Sequence, residues 1–233
     1  DLLDLNNDRR HPSKHMRPFA SGDLSLIFGM LGSPLLLLLA FIVALSLPQG
    51  FVVTLSIYWL ITASYSLYLK RLVVVDVLIL ASLYCIRVVA GSAAIAVTTT
   101  FWLLAFSLLL FISLALVKRV TELNNLRASG KQIIAGRGYT VSHYNLLSGM
   151  GIGSSLFAVL LFVFYIRSPD TLVLYSPPSL LYLVCPLLLY IMGRAWLLVR
   201  REVLHEDPII FAITDLQTQL AVALSGLVVW LAI

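Results

Sequence analysis

The chain has 233 residues, of which 60% are hydrophobic and only 12% are charged, and its mean hydropathy is +0.98. A soluble domain carries about twice that charged fraction, so the composition excludes an ordinary soluble globular protein. The formal net charge of +5 is explained by the orientation of a membrane protein and requires no nucleic-acid partner.

The predicted elements are apolar segments long enough to cross a bilayer, which takes about 20 residues of α-helix. In chain order they lie at 31–47, 51–69, 72–96, 101–117, 146–166, 177–199 and 216–233. The sequence therefore predicts an all-α, polytopic transmembrane helix bundle with about seven spans, which forms a single domain over 1–233. In the fifth span, Gly149, Gly151 and Gly153 are expected to permit close packing of neighbouring helices.

Three acidic residues precede the first span, and their spacing places them on one face of a helix. These opening carboxylates are Asp1, Asp4 and Asp8. Carboxylates that lie so close together repel one another unless a cation lies among them, and oxygen-only ligands suit Mg²⁺. The sequence therefore predicts a Mg²⁺ site in the opening stretch. The basic residues expected to add positive charge for the phosphates of a substrate are Arg9, Lys14 and Arg17.

Basic residues gather before the first span and in every second connection after it. They are Arg9, Arg10, Lys14, Arg17, Lys70, Arg71, Lys118, Arg119, Arg127, Lys131, Arg137, Arg194, Arg200 and Arg201. The remaining connections carry only Arg167. The positive-inside rule therefore predicts that the basic connections are cytosolic, in a bacterial-type inner membrane. Nearly all acidic residues fall on the same side, which favours a polar site that faces the cytoplasm.

Two ionisable residues, Asp76 and Arg87, lie within the third predicted span. Eleven residues is close to three helical turns, so both lie on one face, about 16 Å apart along the axis. That separation excludes a direct pair, and each is expected to meet a partner on another helix or in a polar cavity. We regard Asp76 as a candidate catalytic residue and Arg87 as a candidate substrate-binding residue. Structural ion pairing is the alternative for both.

The stretch 1–14, DLLDLNNDRRHPSK, followed by RPFASG at 17–22, resembles the first aspartate-rich motif of the UbiA superfamily of membrane prenyltransferases. Tyr65-Ser66 followed by Lys70 resembles a tyrosine-and-lysine element of that family. The family has nine helices, and the motif lies at the cytosolic end of the second. The resemblance thus implies a fragment that lacks the first helix and most of the second, and we expect the fragment by itself to be inactive.

The resemblance also implies a function. Known members bind a diphosphate donor through Mg²⁺ and transfer its carbon group to an acceptor. The implied Mg²⁺ ligands and catalytic residues are the opening carboxylates, with Lys70 as a further catalytic candidate, and Tyr65 is a candidate substrate-binding residue. Arg9, Lys14 and Lys70 would neutralise the diphosphate. We therefore expect a membrane enzyme that transfers a prenyl group and whose partners are membrane lipid and an isoprenoid diphosphate or polyprenyl phosphate.

One segment departs from the usual pattern of the family. Where typical members carry a second run of aspartates, this chain has KRVTEL at 118–123. This version resembles the branch that transfers phosphoribose from phosphoribosyl diphosphate to a polyprenyl phosphate, as does RGYT at 137–140. A cationic pair in place of acids fits recognition of an additional phosphate. The candidate substrate-binding residues in these segments are Lys118, Arg119, Glu122 and Tyr139.

A function of another class remains open at this point. Asp76 and Arg87 could line the permeation path of a transporter, or a site in a lipid-binding membrane protein. Transporters commonly show internal repeats, and no convincing repeat is visible in this sequence, which favours the enzyme. The oligomeric state and the identity of the acceptor are left open.

Overall fold

The computed structural model describes residues 2, 5, 9, 14–128, 130, 138–202 and 212–233, without the side chains of Lys14 and Asp170. Seven long helices lie within these ranges: α1 Leu26–Ala44, α2 Gln49–Leu67, α3 Val75–Ala94, α4 Phe101–Ala128, α5 Tyr144–Ile166, α6 Val184–Arg200 and α7 Leu216–Ala232. Six helical segments of the described chain are long and apolar enough to cross a membrane, and α7 is shorter. The predicted all-α polytopic bundle is confirmed, and the protein is an integral membrane protein.

Helix α4 extends well beyond the apolar segment that predicted it. The expected span was 101–117, whereas the helix runs Phe101–Ala128. Residues 118–128 contain neither proline nor glycine, so nothing in the local sequence interrupts the helix, and hydropathy marks only its apolar part. The extension ends just before Gly130, which has a φ of +69°, a conformation that glycine adopts readily at helix ends. This extension carries the polar residues of segment 118–123.

Consecutive helices of the bundle pack side by side, with α4 at its centre in contact with α3, α5 and α6. Because helices joined by short connections run antiparallel, the C-terminal end of α4 lies at the same end of the bundle as the starts of α3 and α5. A short helical turn, Leu69–Arg71, joins α2 to α3 there. We call this the basic end, since the connections rich in lysine and arginine lie on it.

A hydrogen-bonded contact joins α4, α5 and α6. Ser113 Oγ donates to the carbonyl oxygen of Gly151 at 2.8 Å, and Trp196 Nε1 donates to Ser113 Oγ at 3.0 Å. A Cβ atom on Gly151 would lie 2.0 Å from Cζ2 of Trp196, so the indole requires a glycine there. At Gly149 and Gly153, no atom of the described residues lies within 4 Å of such a Cβ. Small residues and polar contacts are what bring helices together in lipid, and here only Gly151 among the three glycines has that role.

Large apolar side chains are exposed along the outer helices. On α1, Phe28 is 73% exposed and Leu31 is 67% exposed, and α7 likewise presents Trp230. In a membrane protein such faces meet hydrocarbon, so their exposure in the isolated chain is expected. The buried side chains instead gather near the two ends of the bundle, and the cluster at the basic end includes Leu116, Val120 and Tyr139.

Candidate functional site

A buried group of charged and hydroxyl side chains lies at the basic end of the bundle. Arg119 Nε donates to Asp76 Oδ2 at 2.7 Å, and Arg119 Nη1 donates to Glu122 Oε2 at 2.6 Å. Asp76 is 0% exposed and Arg119 is 1% exposed, whereas Glu122 is partly exposed. Burying a charge is costly unless it is paired and hydrogen-bonded, and each of the two buried charges here has a partner of opposite sign.

The helices place these three residues together. Asp76 occupies the first turn of α3, where a negative charge interacts favourably with the helix dipole. Arg119 and Glu122 lie three residues apart on the extension of α4, a spacing at which side chains of a helix meet. The ionisable Asp76 therefore does have a partner on another helix, as the sequence predicted for it.

Tyr139 completes the group from the segment that precedes α5. Its hydroxyl donates to Asp76 Oδ1 and accepts a hydrogen bond from the backbone N–H of Val74 at 2.8 Å. Tyr139 is 0% exposed. Burial, together with the hydrogen bond to the Asp76 carboxylate, raises the pKa of the Tyr139 phenol well above its ordinary value. The phenol therefore stays neutral and acts as both donor and acceptor.

Close backbone packing brings Tyr139 to this position. A Cβ atom on Gly138 would lie 3.0 Å from the carbonyl oxygen of Arg71 and 3.0 Å from Cγ2 of Val73. The absence of a side chain at Gly138 thus lets the segment before α5 lie directly on the connection between α2 and α3. We call Asp76, Arg119, Glu122 and Tyr139 the buried network.

Other predicted site residues lie around the buried network. Tyr65, near the end of α2, is close enough to Arg119, Asp76 and Glu122 to interact with all three charges. Lys70 belongs to the turn Leu69–Arg71 and is half-buried. Lys118, also half-buried, directly precedes Arg119 on α4. The structure therefore brings Tyr65 to three members of the network, while Lys118 is next to Arg119 in the chain and Lys70 lies six residues before Asp76.

Arg87 lies apart from the buried network, on the same helix as Asp76. Its Nη2 donates to the Tyr58 hydroxyl at 2.6 Å, and its guanidinium carbon lies 5.3 Å and 5.0 Å from the ring centroids of Tyr58 and Tyr84. These distances are typical of cation–π contacts. Arg87 therefore meets a partner on another helix, as predicted, and its proposed contact with substrate stays a prediction.

The opening carboxylates Asp1, Asp4 and Asp8 lie outside the described residues, as does the side chain of Lys14. Of the neighbouring residues, Leu2 lies against Gly29 of α1. Arg9 Nε donates to the carbonyl oxygen of Ala20 at 3.4 Å, and Arg17 is exposed. The opening stretch is thus next to the start of α1 at these two points.

The described carboxylates of the network do not form a Mg²⁺ site. Both carboxylate oxygens of Asp76 accept hydrogen bonds, and one oxygen of Glu122 does so from Arg119. Within the described ranges, no group of three His, Cys, Asp or Glu side chains is arranged to hold a metal ion. The predicted Mg²⁺ ligands are the opening carboxylates, which lie outside the described residues, so that site stays a prediction.

Sequence reasoning identified the members of the network but missed how they are paired. Arg119 lies 43 residues from Asp76, and Tyr139 lies 63 residues from it. A second pair was also missed: Arg194 of α6 donates to both carboxylate oxygens of Asp215 at 2.8 and 2.7 Å. The sequence did contain a signal for these pairs, because in each one the two opposite charges lie at the basic end of two different helices.

The chain is similar in sequence to several known proteins. Protein y4nM of Sinorhizobium fredii, which is uncharacterised, is 38% identical over 217 residues, covering 92% of this chain and 42% of y4nM. Nodulation protein NoeC of Azorhizobium caulinodans is 30% identical over 215 residues, covering 92% of this chain and 70% of NoeC. Decaprenyl-phosphate phosphoribosyltransferase of Mycolicibacterium smegmatis is 27% identical over 133 residues, covering 57% of this chain and 42% of that enzyme.

These matches differ in extent. The chain spans less than half the length of y4nM and of the phosphoribosyltransferase, and a little over two thirds of NoeC. A family profile, that of the UbiA prenyltransferase family, matches residues 1–230. With its apolar helical bundle and a match over nearly its whole length, the chain belongs to the UbiA prenyltransferase family.

Proposed function

We propose that the chain is the membrane-embedded part of a Mg²⁺-dependent transferase that uses a diphosphate donor at the cytosolic face of the membrane. The finer form of this proposal specifies the substrates: the donor is phosphoribosyl diphosphate and the acceptor is a polyprenyl phosphate. Family membership and the phosphoribosyltransferases among the relatives support this assignment.

The pairing of Arg119 is the observation that carries the phosphoribosyl form. In the segment where typical prenyltransferases have a second run of aspartates, this chain has one carboxylate, Glu122, which is bound to Arg119. Arg119 is held in turn by the buried Asp76. The segment thus holds a guanidinium between two carboxylates, and Lys118 adds a second cation beside it. The segment therefore carries less negative charge than a run of aspartates would, which suits a donor that carries a phosphate in addition to its diphosphate.

The proposed reaction breaks the bond between the anomeric carbon of the donor and its diphosphate. An oxygen of the polyprenyl phosphate forms the new bond to that carbon, and the diphosphate leaves. Mg²⁺ bound by the opening carboxylates would neutralise negative charge that develops on the leaving group. The cationic side chains proposed to neutralise the remaining charge are Arg9, Lys14 and Lys70. Prearranged charge of this kind stabilises the transition state more than the bound substrate.

Prenyl transfer is the second candidate function. The opening stretch 1–22, which resembles the family's first aspartate-rich motif, favours it, since that motif serves isoprenyl diphosphate donors in typical members. The two candidates share the metal, the leaving group and the opening carboxylates. They differ in the donor's carbon group, so a direct comparison of donors separates them.

The test uses the purified full-length protein in detergent or in proteoliposomes. Turnover is measured with labelled phosphoribosyl diphosphate and a polyprenyl phosphate, and separately with isoprenyl diphosphates and aromatic acceptors. Each assay is run with Mg²⁺ and with excess chelator. The proposal predicts Mg²⁺-dependent formation of a polyprenyl-phosphate phosphoribose and at most trace transfer of prenyl groups. Transfer from isoprenyl diphosphates alone would overturn the finer form and favour the second candidate.

An Asp4→Asn variant tests the role of the opening carboxylates. We expect a loss of about 100-fold in turnover, the magnitude typical of removing one preorganised electrostatic contribution to a transition state. Asp23→Asn is the matched control, because Asp23 is an exposed carboxylate near the same end whose hydrogen bond comes from Ser21 Oγ at 2.8 Å. Undiminished activity of Asp4→Asn would rule out the metal role of that residue.

A further inference from the structure

Val74 has a backbone conformation that a valine rarely adopts. Its φ is 68° and its ψ is −43°, and it directly precedes the first residue of α3. A β-branched residue with positive φ is an outlier, and such a residue persists only where its surroundings fix it. Strained residues of this kind cluster at functional sites, so the contacts that hold Val74 are of interest.

Tyr139 supplies a contact that fixes this turn. Its hydroxyl accepts the backbone N–H of Val74 at 2.8 Å and donates to the carboxylate of Asp76, two residues farther along. One buried hydroxyl therefore binds both the backbone of Val74 and the side chain of Asp76. The neighbouring Gly138 lies against the carbonyl oxygen of Arg71, so the segment before α5 also contacts the connection that leads to Val74.

Asp76 is in turn held by Arg119, so the turn is connected to α4 through an unbroken series of hydrogen bonds. The exposed fractions of Tyr139, Asp76 and Arg119 are 0%, 0% and 1%. Groups this deeply buried cannot touch a substrate that enters from solvent or lipid. Their influence on a reaction would have to be exerted through the residues that they position.

We propose that Tyr139 is a positioning residue: by holding the turn at Val74, its hydroxyl sets the place of the adjoining turn Leu69–Arg71, and with it Lys70, against the diphosphate of the donor. This inference rests on the proposed function, because there Lys70 is one of the cations that neutralise the diphosphate. Only three residues separate Lys70 from Val74. A change of backbone conformation at Val74 therefore moves the lysine directly.

The test compares the full-length protein with its Tyr139→Phe variant. The variant keeps the buried ring and removes only the hydroxyl. We expect the KM for the diphosphate donor to rise about tenfold while kcat stays within about twofold, because a misplaced lysine weakens donor binding. Tyr182→Phe is the matched control, since its hydroxyl accepts a hydrogen bond from Arg167 Nε at 3.1 Å at the opposite end of the bundle. The donor KM of the Tyr182→Phe variant should not change.

A second substitution tests the route through the turn. Glycine adopts positive φ without strain, so Val74→Gly in the Tyr139→Phe background should restore the donor KM to within about threefold of the original value. A merely structural role for Tyr139 predicts something else: less active protein, hence a lower apparent kcat at unchanged KM, and no specific rescue. Unchanged KM in Tyr139→Phe, or failure of the rescue, would overturn the inference.

A third variant keeps the inference testable if Tyr139→Phe does not fold. Gly138→Ala keeps the Tyr139 hydroxyl but should displace the turn Leu69–Arg71, because the added Cβ would lie 3.0 Å from the backbone oxygen of Arg71. It should also raise the donor KM several-fold with kcat retained, and an unchanged KM would count against the inference. Failure of the proposed function can be distinguished from failure of this inference, because the unsubstituted protein would then turn over no diphosphate donor at all.

Discussion

The Arg119→Met substitution is expected to destabilise the folded protein strongly. Arg119 Nε lies 2.7 Å from Asp76 Oδ2, and neither side chain is more than 1% exposed. Among the described residues, removing the guanidinium leaves the buried Asp76 carboxylate with the Tyr139 hydroxyl as its remaining side-chain hydrogen-bond partner. Breaking a buried ion pair by removing one partner typically costs about 3–5 kcal/mol of unfolding free energy. The loss of the contact with the partly exposed Glu122 adds less than about 1 kcal/mol, because water can solvate that carboxylate.

A double substitution distinguishes an unpaired charge from lost packing. Arg119→Met with Asp76→Leu removes both charges. The remaining cost in unfolding free energy, about 1–3 kcal/mol, comes from the Tyr139 hydroxyl, which has lost its acceptor. The double variant should therefore be more stable than either single variant. Glu122→Gln serves as the control at the solvent-exposed end of the same network, and it should change stability by less than about 1 kcal/mol.

The assay is the unfolding free energy of the purified full-length protein, measured by titration with sodium dodecyl sulfate in mixed micelles and followed by tryptophan fluorescence. Two results would refute the reasoning. One is an Arg119→Met variant within about 1 kcal/mol of the unsubstituted protein. The other is a double variant whose loss equals the sum of the two single losses, since independent sites add in that way.

Two further predictions concern packing and pH. Gly151→Ala should lower the melting temperature in detergent markedly, because its Cβ would lie 2.0 Å from Cζ2 of Trp196. Gly149→Ala should have little effect, because no described atom lies within 4 Å of the added Cβ. Equal effects of the two would contradict the packing. The raised pKa of Tyr139 means that above about pH 10 the unfolded state loses a proton that the folded state keeps, so stability should fall as pH rises. Tyr139→Phe should make that fall shallower, and an identical pH dependence of unfolding would contradict it.

Hydropathy was sufficient to predict the bundle because the lipid-facing parts of the helices must be apolar over a fixed length. It failed at the end of α4, where Lys118 and the residues after it continue the helix outside the apolar span. Helix continuation depends on the absence of breakers, which hydropathy does not report. The extension matters for the site because Arg119 and Glu122 both lie on it.

The pairing within the site could be anticipated only in part. A carboxylate inside an apolar span needs a partner, so the sequence predicted that Asp76 meets another helix. The identity of that partner depends on the rotation and depth of α3 against α4, which local sequence does not encode. The conformation of Val74 had no signal at all, because a positive φ at a valine is imposed by tertiary contacts such as that with Tyr139. The placement of Gly138 against the turn is likewise a tertiary feature.

A structure of the full-length protein with Mg²⁺ and the donor diphosphate tests the central claim most directly. The account predicts a divalent ion bound by the opening carboxylates, with the diphosphate lying between them and the 118–122 segment of α4, and with Lys70 in contact with its oxygens. Opening carboxylates that point into solvent, far from Lys70 and Glu122, would contradict it.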